Sequence, residues 1–329
     1  MTRLLRVIVA AGAALLAMAA SAPAQMQGPL QGQYPNKPIT LIVPFGPGST
    51  TDTISRIIAQ HLGQALNQSI VIENKPGANG AIAAAYVARA APDGYTLLMS
   101  TNSPHSAAPS LNKSIAYDPV KDFEPVSRIG SFTLMLVLHP DVPATSIPEL
   151  IAYAKAHPGK LSFASGNASG VVAGETLKAW AGINLVHVPY RSTPPAVNDV
   201  LGGRVSMMFI DLTSGLPHVR VHSLRALAVT RMQRSTLFPE LPSLHEAGVT
   251  NFDMDSWMGV FAPAHTPPDV VTRLNAELRK IVDNPEIKAR IGTLGFEAFS
   301  STPAELGGFV KVQLDKWTRM IRDAGIEPE

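Results

Sequence analysis

One sequence feature limits the folds open to this chain: an apolar strand pattern that passes through a loop of small residues into a helix. Residues 41–52 read Leu-Ile-Val-Pro-Phe-Gly-Pro-Gly-Ser-Thr-Thr-Asp, and apolar side chains then recur at three- and four-residue spacing as far as Leu66. Such a corner directs backbone N–H groups and the positive end of a helix dipole at one point, which favours an anion. An ordinary turn with Ser49, Thr50 or Thr51 as helix cap explains the same residues. The corner alone leaves both interpretations open.

The corner begins an alternation of strands and helices. The predicted strands are 39–43, 70–73 and 95–100, and the predicted helices are 53–66 and 81–90. This order is typical of a doubly wound α/β sheet with parallel strands, in which ligands lie beyond the carboxyl ends of the strands. The first loop (Phe45–Asp52) follows one such end, and Thr101 and Asn102 follow another.

The same arrangement returns in the second half of the chain. A predicted strand at 161–164 leads through the second loop (Ser165–Gly170) into a helix predicted at about 171–181. Two corners, one in each α/β unit, would direct two helix N-termini at one cleft, as in a clamshell binder. Strands predicted near 131–138 and 253–261 would be the two crossovers between the lobes.

Two further strand ends in this half carry charged side chains. Arg191, after Tyr190, can hold a carboxylate through two parallel hydrogen bonds, although a solvent-exposed loop arginine explains it equally well. Asp211 is either a helix cap or an acceptor for a polar group of a ligand or an ordered water. Trp180 lies in an apolar helical pattern, which predicts a position in the core.

The first residues have the composition of an export signal. Arg3 and Arg6 precede an apolar run from Val7 to Ala20, and Ala22-Pro-Ala24 supplies small residues for cleavage. The run is shorter than the roughly 20 residues that span a membrane. We therefore expect residues 1–24 to be a cleaved signal peptide and 25–33 a flexible lead-in. The mature protein should be exported and soluble, without stable membrane insertion.

Composition excludes several classes of function. The 27 basic residues of the 329-residue chain fall to 25 when Arg3 and Arg6 leave with the signal, against 25 acidic residues. The mature chain is then formally neutral and has no run of Lys and Arg, so nucleic-acid binding by a basic stripe is not expected. The absence of cysteine excludes disulfides, thiolate zinc sites and a lipid-anchored cysteine. The length fits two domains.

Catalytic and cofactor motifs are incomplete. The chain has neither a complete G-x-G-x-x-G sequence after the first strands nor a phosphate-binding G-x-x-x-x-G-K-[ST] loop, and the second loop places its serine one residue late for a nucleophile elbow. An exported α/β hydrolase with Ser169, His187 and Asp211 as its triad is kept as an alternative. His218 and His222 lie four residues apart without the glutamate of a metalloprotease. We expect no enzymatic activity, no cofactor and no bound metal.

Motifs along nearly the whole mature chain resemble the substrate-binding proteins of tripartite tricarboxylate transporters, the Bug-type family. Trp257 and Ala262-Pro263 extend the match, and the blocks that carry it are Tyr34–Phe45, Val71–Gly80, Pro92–Leu98, Tyr117–Val126, Gly159–Gly166, Ala173–Glu175, Val188–Tyr190, Leu201–Val205, Leu227–Thr230 and Pro239–Gly248. The resemblance implies a two-lobed, Venus flytrap periplasmic binding protein (type II-like), each lobe a doubly wound α/β sheet with flanking helices. We assign residues 34–133 to lobe 1, 134–254 to lobe 2, and 255–329 to a return to lobe 1 with C-terminal helices.

The resemblance also implies a function. Members of the family capture small carboxylates and deliver them to a membrane permease of the tripartite tricarboxylate type. We expect a monomer that binds a mono- or dicarboxylate, amino acids and aromatic acids included. A binding protein that serves a sensor instead of a permease is the alternative.

In the family, backbone amides and ordered waters from the first and second loops hold one ligand carboxylate. Phe45 would be an apolar wall, Gly48 would let the backbone approach the oxyanion, and Arg191 would be a charge partner. The implied ligand-binding residues are Phe45, Gly48, Ser49, Thr50, Asp52, Thr101, Asn102, Ser165, Gly166, Asn167, Ala168, Ser169, Tyr190, Arg191 and Asp211.

Three positions depart from the family pattern. Ser49 follows Gly48 where two adjacent glycines are common, Val171-Val172 replaces a His-Leu pair, and Ser192 replaces the glycine that usually follows Tyr-Arg. These changes lie at or near the expected pocket. They should leave the fold unchanged and bear on the identity of the ligand.

Overall fold

Strands and helices alternate in the computed structural model, which describes residues 34–328. The predicted signal peptide and lead-in, 1–24 and 25–33, lie outside the described residues. The strands of this range are β1 (Ile39–Val43), β2 (Ile70–Asn74), β3 (Thr96–Thr101), β4 (Phe123–Leu138), β5 (Ser162–Ser165), β6 (Val186–Pro189), β7 (Met207–Asp211), β8 (Arg225–Val229), β9 (Asp255–Pro263) and β10 (Phe296–Ala298). The α-helices of this range are α1 (Thr50–Leu66), α2 (Ala81–Ala88), α3 (Ala108–Leu111), α4 (Ile147–Ala156), α5 (Ala168–Ala181), α6 (Thr193–Leu201), α7 (Leu212–Arg220), α8 (Pro268–Val282), α9 (Pro285–Gly292) and α10 (Pro303–Asp323).

The long strand β4 joins two halves of a sheet. As far as Thr133 it pairs with β9, and from Leu134 onward it pairs with β7 and β8. The strand order is β2-β1-β3-β9-β4 in the first half and β4-β7-β5-β6 in the second. Strands β1, β2 and β3 run parallel, as do β5, β6 and β7, so the carboxyl ends within each group open at one edge. The predicted lobe bounds stay a prediction.

Helix α1 is fixed on the first half of the sheet by its apolar face. Ile54, Ile58 and Leu62 are buried at four-residue spacing, and the helix packs against β1, β2 and α8. This packing holds the N-terminus of α1 at the carboxyl end of β1. In residues 34–328, no helix combines the length and the apolar character needed to cross a membrane.

Helix α5 lies very close to β5 because of a glycine. A Cβ at Gly174 would come within 2.2–2.6 Å of three carbons of the Phe163 ring. The buried stripe of the helix runs through Ala173, Leu177 and Ala181. The prediction that Trp180 lies in the core is wrong, because this residue falls beside the stripe and is 46% exposed.

Candidate functional site

A small polar pocket lies where the first loop, the second loop and the carboxyl ends of β3 and β7 meet. Helices α1, α5, α6 and α7 all begin beside it. Its lining residues are Phe45, Ser49, Thr50, Thr51, Thr101, Asn102, Ser103, Phe132, Asn167, Ser169, Thr193, Asp211 and Ser256. Among the described residues that line it, hydroxyl and amide groups dominate, and Lys, Arg and His are absent.

The first loop presents the N-terminus of α1 to the pocket. Ser49 is the N-cap, and its Oγ accepts a hydrogen bond from the Asp52 N–H at 3.2 Å. Gly48 has a φ of +81°, a conformation that favours glycine. Within residues 34–328, the N–H groups of Thr50 and Thr51 find no acceptor, which is typical of the first turn of a helix. These two donors are open to an anion.

Asp52 is a brace of the first loop and does not line the pocket. Its carboxylate accepts hydrogen bonds from the Gly48 N–H at 3.0 Å, from Arg56 Nε and Nη2 at 3.0 and 2.9 Å, and from Asn74 Nδ2 at 2.9 Å. Burial alone would raise the pKa of Asp52, but these hydrogen bonds and the guanidinium charge hold it below the usual range. The acid the sequence assigned to ligand contact therefore holds the backbone that faces the ligand.

The second loop is built in the same way. Asn167 is the N-cap of α5, and its Oδ1 accepts from the Gly170 N–H at 3.0 Å. The N–H of Ala168 donates to Ser103 Oγ at 3.2 Å. Among the described residues the Ser169 N–H has no acceptor, so it is a third donor open to the pocket.

The two loops are hydrogen-bonded to the opposite half of the molecule. Asn102 Nδ2 donates to Ser169 Oγ at 2.8 Å, and Ser169 Oγ lies 2.8 Å from Ser256 Oγ. The Thr50 hydroxyl donates to Asp211 Oδ1.

Ser192, one of the departures from the family pattern, also bridges the halves. It is the N-cap residue of α6 but makes no capping bond with its side chain. Its Oγ instead accepts from the Gly46 N–H at 3.0 Å. A glycine at this position would leave that N–H without its side-chain acceptor.

Tyr190 and Arg191 lie elsewhere. The Tyr190 hydroxyl donates to Asp199 Oδ2 at 2.5 Å, and Arg191 is exposed. Together with Ser165, these residues line a separate surface groove beside His187 and Glu175. Gly48, Gly166 and Ala168 stand next to lining residues in the chain and support the pocket through their backbone.

The structure does not bring Ser169, His187 and Asp211 together as the catalytic triad of a hydrolase. Ser169 Oγ is bonded to Asn102 and Ser256, whereas His187 Nε2 lies 2.6 Å from Ser165 Oγ. Asp211 Oδ1 accepts from the Ser214 N–H at 2.8 Å. Residues 34–328 contain no group of three or more His, Asp or Glu side chains placed closely enough to hold a metal ion.

Five lining residues escaped the sequence interpretation. Thr51 and Ser103 directly follow predicted residues and could have been included by position. Phe132 and Ser256 lie on the predicted crossovers, and Thr193 begins α6. No local pattern marks these last three, because strand pairing and loop packing bring them to the pocket.

Behind the pocket lies His105, which is fully buried within a short π-helix, Ser103–Ala107. Its ring packs against Phe123 and Phe261 with centroid distances of 4.6 and 4.1 Å, and its Nδ1 lies 2.6 Å from Ser100 Oγ. Burial lowers the pKa of His105 to about 3. The folded protein therefore holds this ring neutral.

Acid should destabilise the protein through His105. Unfolding lets the ring take up a proton with a pKa near its ordinary value of about 6.5, whereas the folded state resists protonation down to about pH 3. Between these limits the unfolded state binds more protons, so the free energy of unfolding should fall by up to about 1.4 kcal/mol per pH unit as the pH drops. Urea unfolding of wild type and His105→Leu from pH 7 to 4.5 measures this slope.

The pH slope should be smaller in His105→Leu, even if the variant is less stable at every pH. The exposed His265, replaced by asparagine, is the control and should keep the wild-type slope. Equal slopes in wild type and His105→Leu would contradict the assignment.

Comparison with known proteins shows which family this chain resembles in sequence. The family model described as "Tripartite tricarboxylate transporter family receptor" matches residues 54–326. Protein BugT of Bordetella pertussis is 36% identical over 331 residues, which cover 99% of this chain and 98% of that protein.

Solved structures agree. Rpa4515 of R. palustris with adipate has a TM-score of 0.88 and 32% identity, over 90% of this chain and 100% of that chain. The periplasmic binding protein BugD has a TM-score of 0.86 and 34% identity, over 90% and 100%. The predicted resemblance and the two-lobed α/β fold are confirmed.

Proposed function

The chain belongs to the tripartite tricarboxylate transporter receptor family, and we propose that it is a periplasmic solute-binding protein for a small carboxylate. It binds this ligand between the two lobes as a monomer and delivers it to a membrane permease of the tripartite tricarboxylate type. It catalyses no reaction and binds no nucleic acid.

The observation that best supports this function is a set of backbone N–H groups without acceptors that face the pocket from both lobes. Thr50 and Thr51 on α1 and Ser169 on α5 each have an N–H without an acceptor in the described part of the chain. Two helix dipoles point their positive ends at the same space. A carboxylate with its two oxygens suits such donors, and no lysine or arginine of the lining is needed to hold it.

Ligand binding should favour closure. A ligand that accepts hydrogen bonds from α1 and α5 at once contacts both lobes, so it binds the closed state more tightly than the open one. The direct bonds between Asn102 and Ser169 and between Gly46 and Ser192 support closure around a small ligand. The adipate bound to the related R. palustris protein supports a carboxylate as that ligand.

A thermal-unfolding screen tests the proposed function. The mature protein would be unfolded and refolded to remove any bound ligand, and then heated with carboxylates, amino acids, neutral sugars and cations. A ligand at about 100 times its Kd should stabilise the protein by about 2.7 kcal/mol. Stabilisation by a neutral sugar or a cation, with none from any carboxylate, would contradict the proposal.

Location needs its own measurement. Osmotic shock of cells that express the full chain should release a protein that begins at residue 25, as the mass of the released chain would show. Full-length protein retained in the spheroplasts would contradict periplasmic delivery.

A further inference from the structure

The side chain of Arg231 ties three strands of the first half of the sheet to the chain that leaves β8. Its Nε donates to Asp255 Oδ1 on β9 at 2.7 Å, and its Nη1 donates to Glu297 Oε1 on β10 at 2.5 Å. Its Nη2 donates to Glu297 Oε2 and to Ser131 Oγ on β4, both at 3.1 Å. The side chain is 24% exposed, so water weakens these bonds only in part. We call Arg231, Asp255, Glu297 and Ser131 the rear latch.

The backbone of Arg231 belongs to the other half of the sheet. Thr230, immediately before it, donates its N–H to Leu134 O at 2.9 Å, and Thr230 Oγ1 accepts from the Leu134 N–H at 3.2 Å. Leu134 is the residue at which β4 begins to pair with β7. Arg231 therefore spans the boundary between the two halves, with its backbone on one side and its guanidinium on the other.

The rear latch lies on the face of β4 and β9 that is opposite the pocket. Phe132 and Ser256 pair with each other across these strands and line the pocket. Ser131 and Asp255 are their neighbours along the two strands, and successive side chains of a strand point to opposite faces. The latch is therefore behind the pocket wall and outside the pocket.

Movement of the two halves about this boundary must change the rear latch. Closure of two-lobed proteins is absorbed by a few backbone torsions at the ends of elements, and β4 changes its partner between Thr133 and Leu134. A rotation at that point moves the backbone of Arg231 with one half and its partners with the other. In the structure the latch is complete, and hydrogen bonds across the pocket also join the halves directly.

We propose that Arg231 is a positioning residue that holds part of the ligand-free protein closed and so sets the affinity for a ligand that it does not contact. The inference rests on the proposed function, in which the ligand binds between the halves. The bonds of the latch and those across the pocket join groups of the protein itself, so they favour closure before a ligand arrives. A larger closed fraction raises the apparent affinity, because less of the binding free energy is then needed for closing.

The variant Arg231→Gln, which removes the charge of the latch, tests this proposal. Since the chain has no cysteine, Lys113→Cys and Pro189→Cys supply two specific sites for spin labels. Both residues are exposed and line the surface groove, one after α3 and the other on β6. Pulsed electron resonance would measure the distance between the labels without ligand, and calorimetry with adipate and with succinate would measure the Kd.

Loss of the latch should shift the protein toward the open form. Part of the ligand-free wild type should show the short distance of the closed form, and in Arg231→Gln the ratio of closed to open protein should fall about 5- to 10-fold. The Kd should rise by a similar factor, and Arg231→Lys should restore part of the closed fraction. The matched control is Arg234→Gln. Arg234 Nε donates to Glu246 Oε2 at 2.9 Å without crossing the boundary, so this variant should keep the wild-type distances and Kd.

The outcomes separate the latch from a merely structural role. Lower stability in urea with unchanged distances and Kd would overturn the proposal, as would a wild type that is entirely open without ligand. A raised Kd with unchanged distances would also overturn it, because only the pocket wall would then have moved. If neither carboxylate binds, the ligand-free distances still decide on the latch, and the thermal-unfolding screen decides on the proposed function. If Arg231→Gln fails to fold, Glu297→Gln, at a side chain that is 59% exposed, takes its place.

Discussion

Replacing Gly166 with alanine should destabilise the protein by about 3 kcal/mol and lower its affinity for the ligand at least about 100-fold. A Cβ at this position would lie 2.4 Å from the N of Thr193, 2.5 Å from the C of Ser192 and 2.6 Å from the Cα of Thr193. All three atoms belong to backbone, so no side chain can rotate away. Either the second loop or the start of α6 must move, and both border the pocket.

Urea unfolding and calorimetry measure the two effects of Gly166→Ala. The control is Gly308→Ala within α10, where a Cβ would meet nothing within 4 Å. That variant should be stabilised by about 0.5–1 kcal/mol because alanine has less conformational freedom to lose on folding. Wild-type affinity in Gly166→Ala would show that the second loop does not hold the ligand.

The tight approach at Gly166 illustrates what the sequence could and could not predict. The strand–loop–helix corners were recognisable, since apolar periodicity and small polar residues are local signals. Helices α1 and α5 nevertheless begin about three residues earlier than predicted, because Ser49 and Asn167 cap them and the turn of hydroxyl residues is already helical. The open N–H groups therefore belong to residues that the pattern left in the loop.

Helix α7 was anticipated only through its possible cap, Asp211, and its extent was not predicted. Its sequence contains Gly215 and Pro217, which disfavour a helix by intrinsic propensity. Packing overrides that preference, since Gly215 lets the helix approach the sheet so closely that a Cβ there would lie 2.2 Å from Met135 Cε and 2.8 Å from Ile210 Cγ2. Without the helix, the capping role of Asp211 stayed one of two alternatives. In the structure the residue caps α7 through Oδ1 and lines the pocket.

Strand β4 was predicted from 131 but begins at Phe123. Its pairing with β9 shifts register between Pro125 and Ser127 and again between Arg128 and Gly130. Proline and glycine inside a strand pattern argue against a regular strand. Here β-bulges, which add an extra residue to one strand, let β4 continue through them. Such irregularities depend on the partner strand, which sequence spacing does not reveal.

Hydrogen bonds between residues far apart in the sequence could not be predicted either. The bond from Gly46 to Ser192 joins residues 146 positions apart, and nothing local to either residue marks it. The pair Asp52 and Arg56 is different, because a four-residue spacing on a helix brings opposite charges together. Asp52 was instead assigned to the ligand, because it lies in the first loop, which the family resemblance implies holds the ligand carboxylate. The geometry makes it the support of that loop, which can be tested directly.

Replacing Asp52 with alanine should destabilise the protein by about 2–3 kcal/mol and raise the Kd for the ligand by about 30- to 150-fold. The side chain is only 4% exposed and holds Gly48, Arg56 and Asn74 at once. Its loss leaves the Gly48 N–H without an acceptor and frees the first loop to leave the conformation in which Thr50 and Thr51 face the pocket.

The matched control is Arg56→Met, which removes only the exposed half of the ion pair. Arg56 is 53% exposed, so its guanidinium is largely hydrated and its removal should change stability by less than about 1 kcal/mol.

The loss of stability in Asp52→Ala should also depend on pH. Because the folded pKa of Asp52 is lowered, its stabilising contribution is complete above about pH 4 and is lost as the pH falls through the lower folded value. Urea unfolding at pH 7 and at pH 3 measures this dependence, and calorimetry at pH 7 measures affinity. If Asp52→Ala and Arg56→Met changed stability and affinity equally, the ion pair alone would hold the first loop. That result would contradict the supporting role of the Asp52 hydrogen bonds to Gly48 and Asn74.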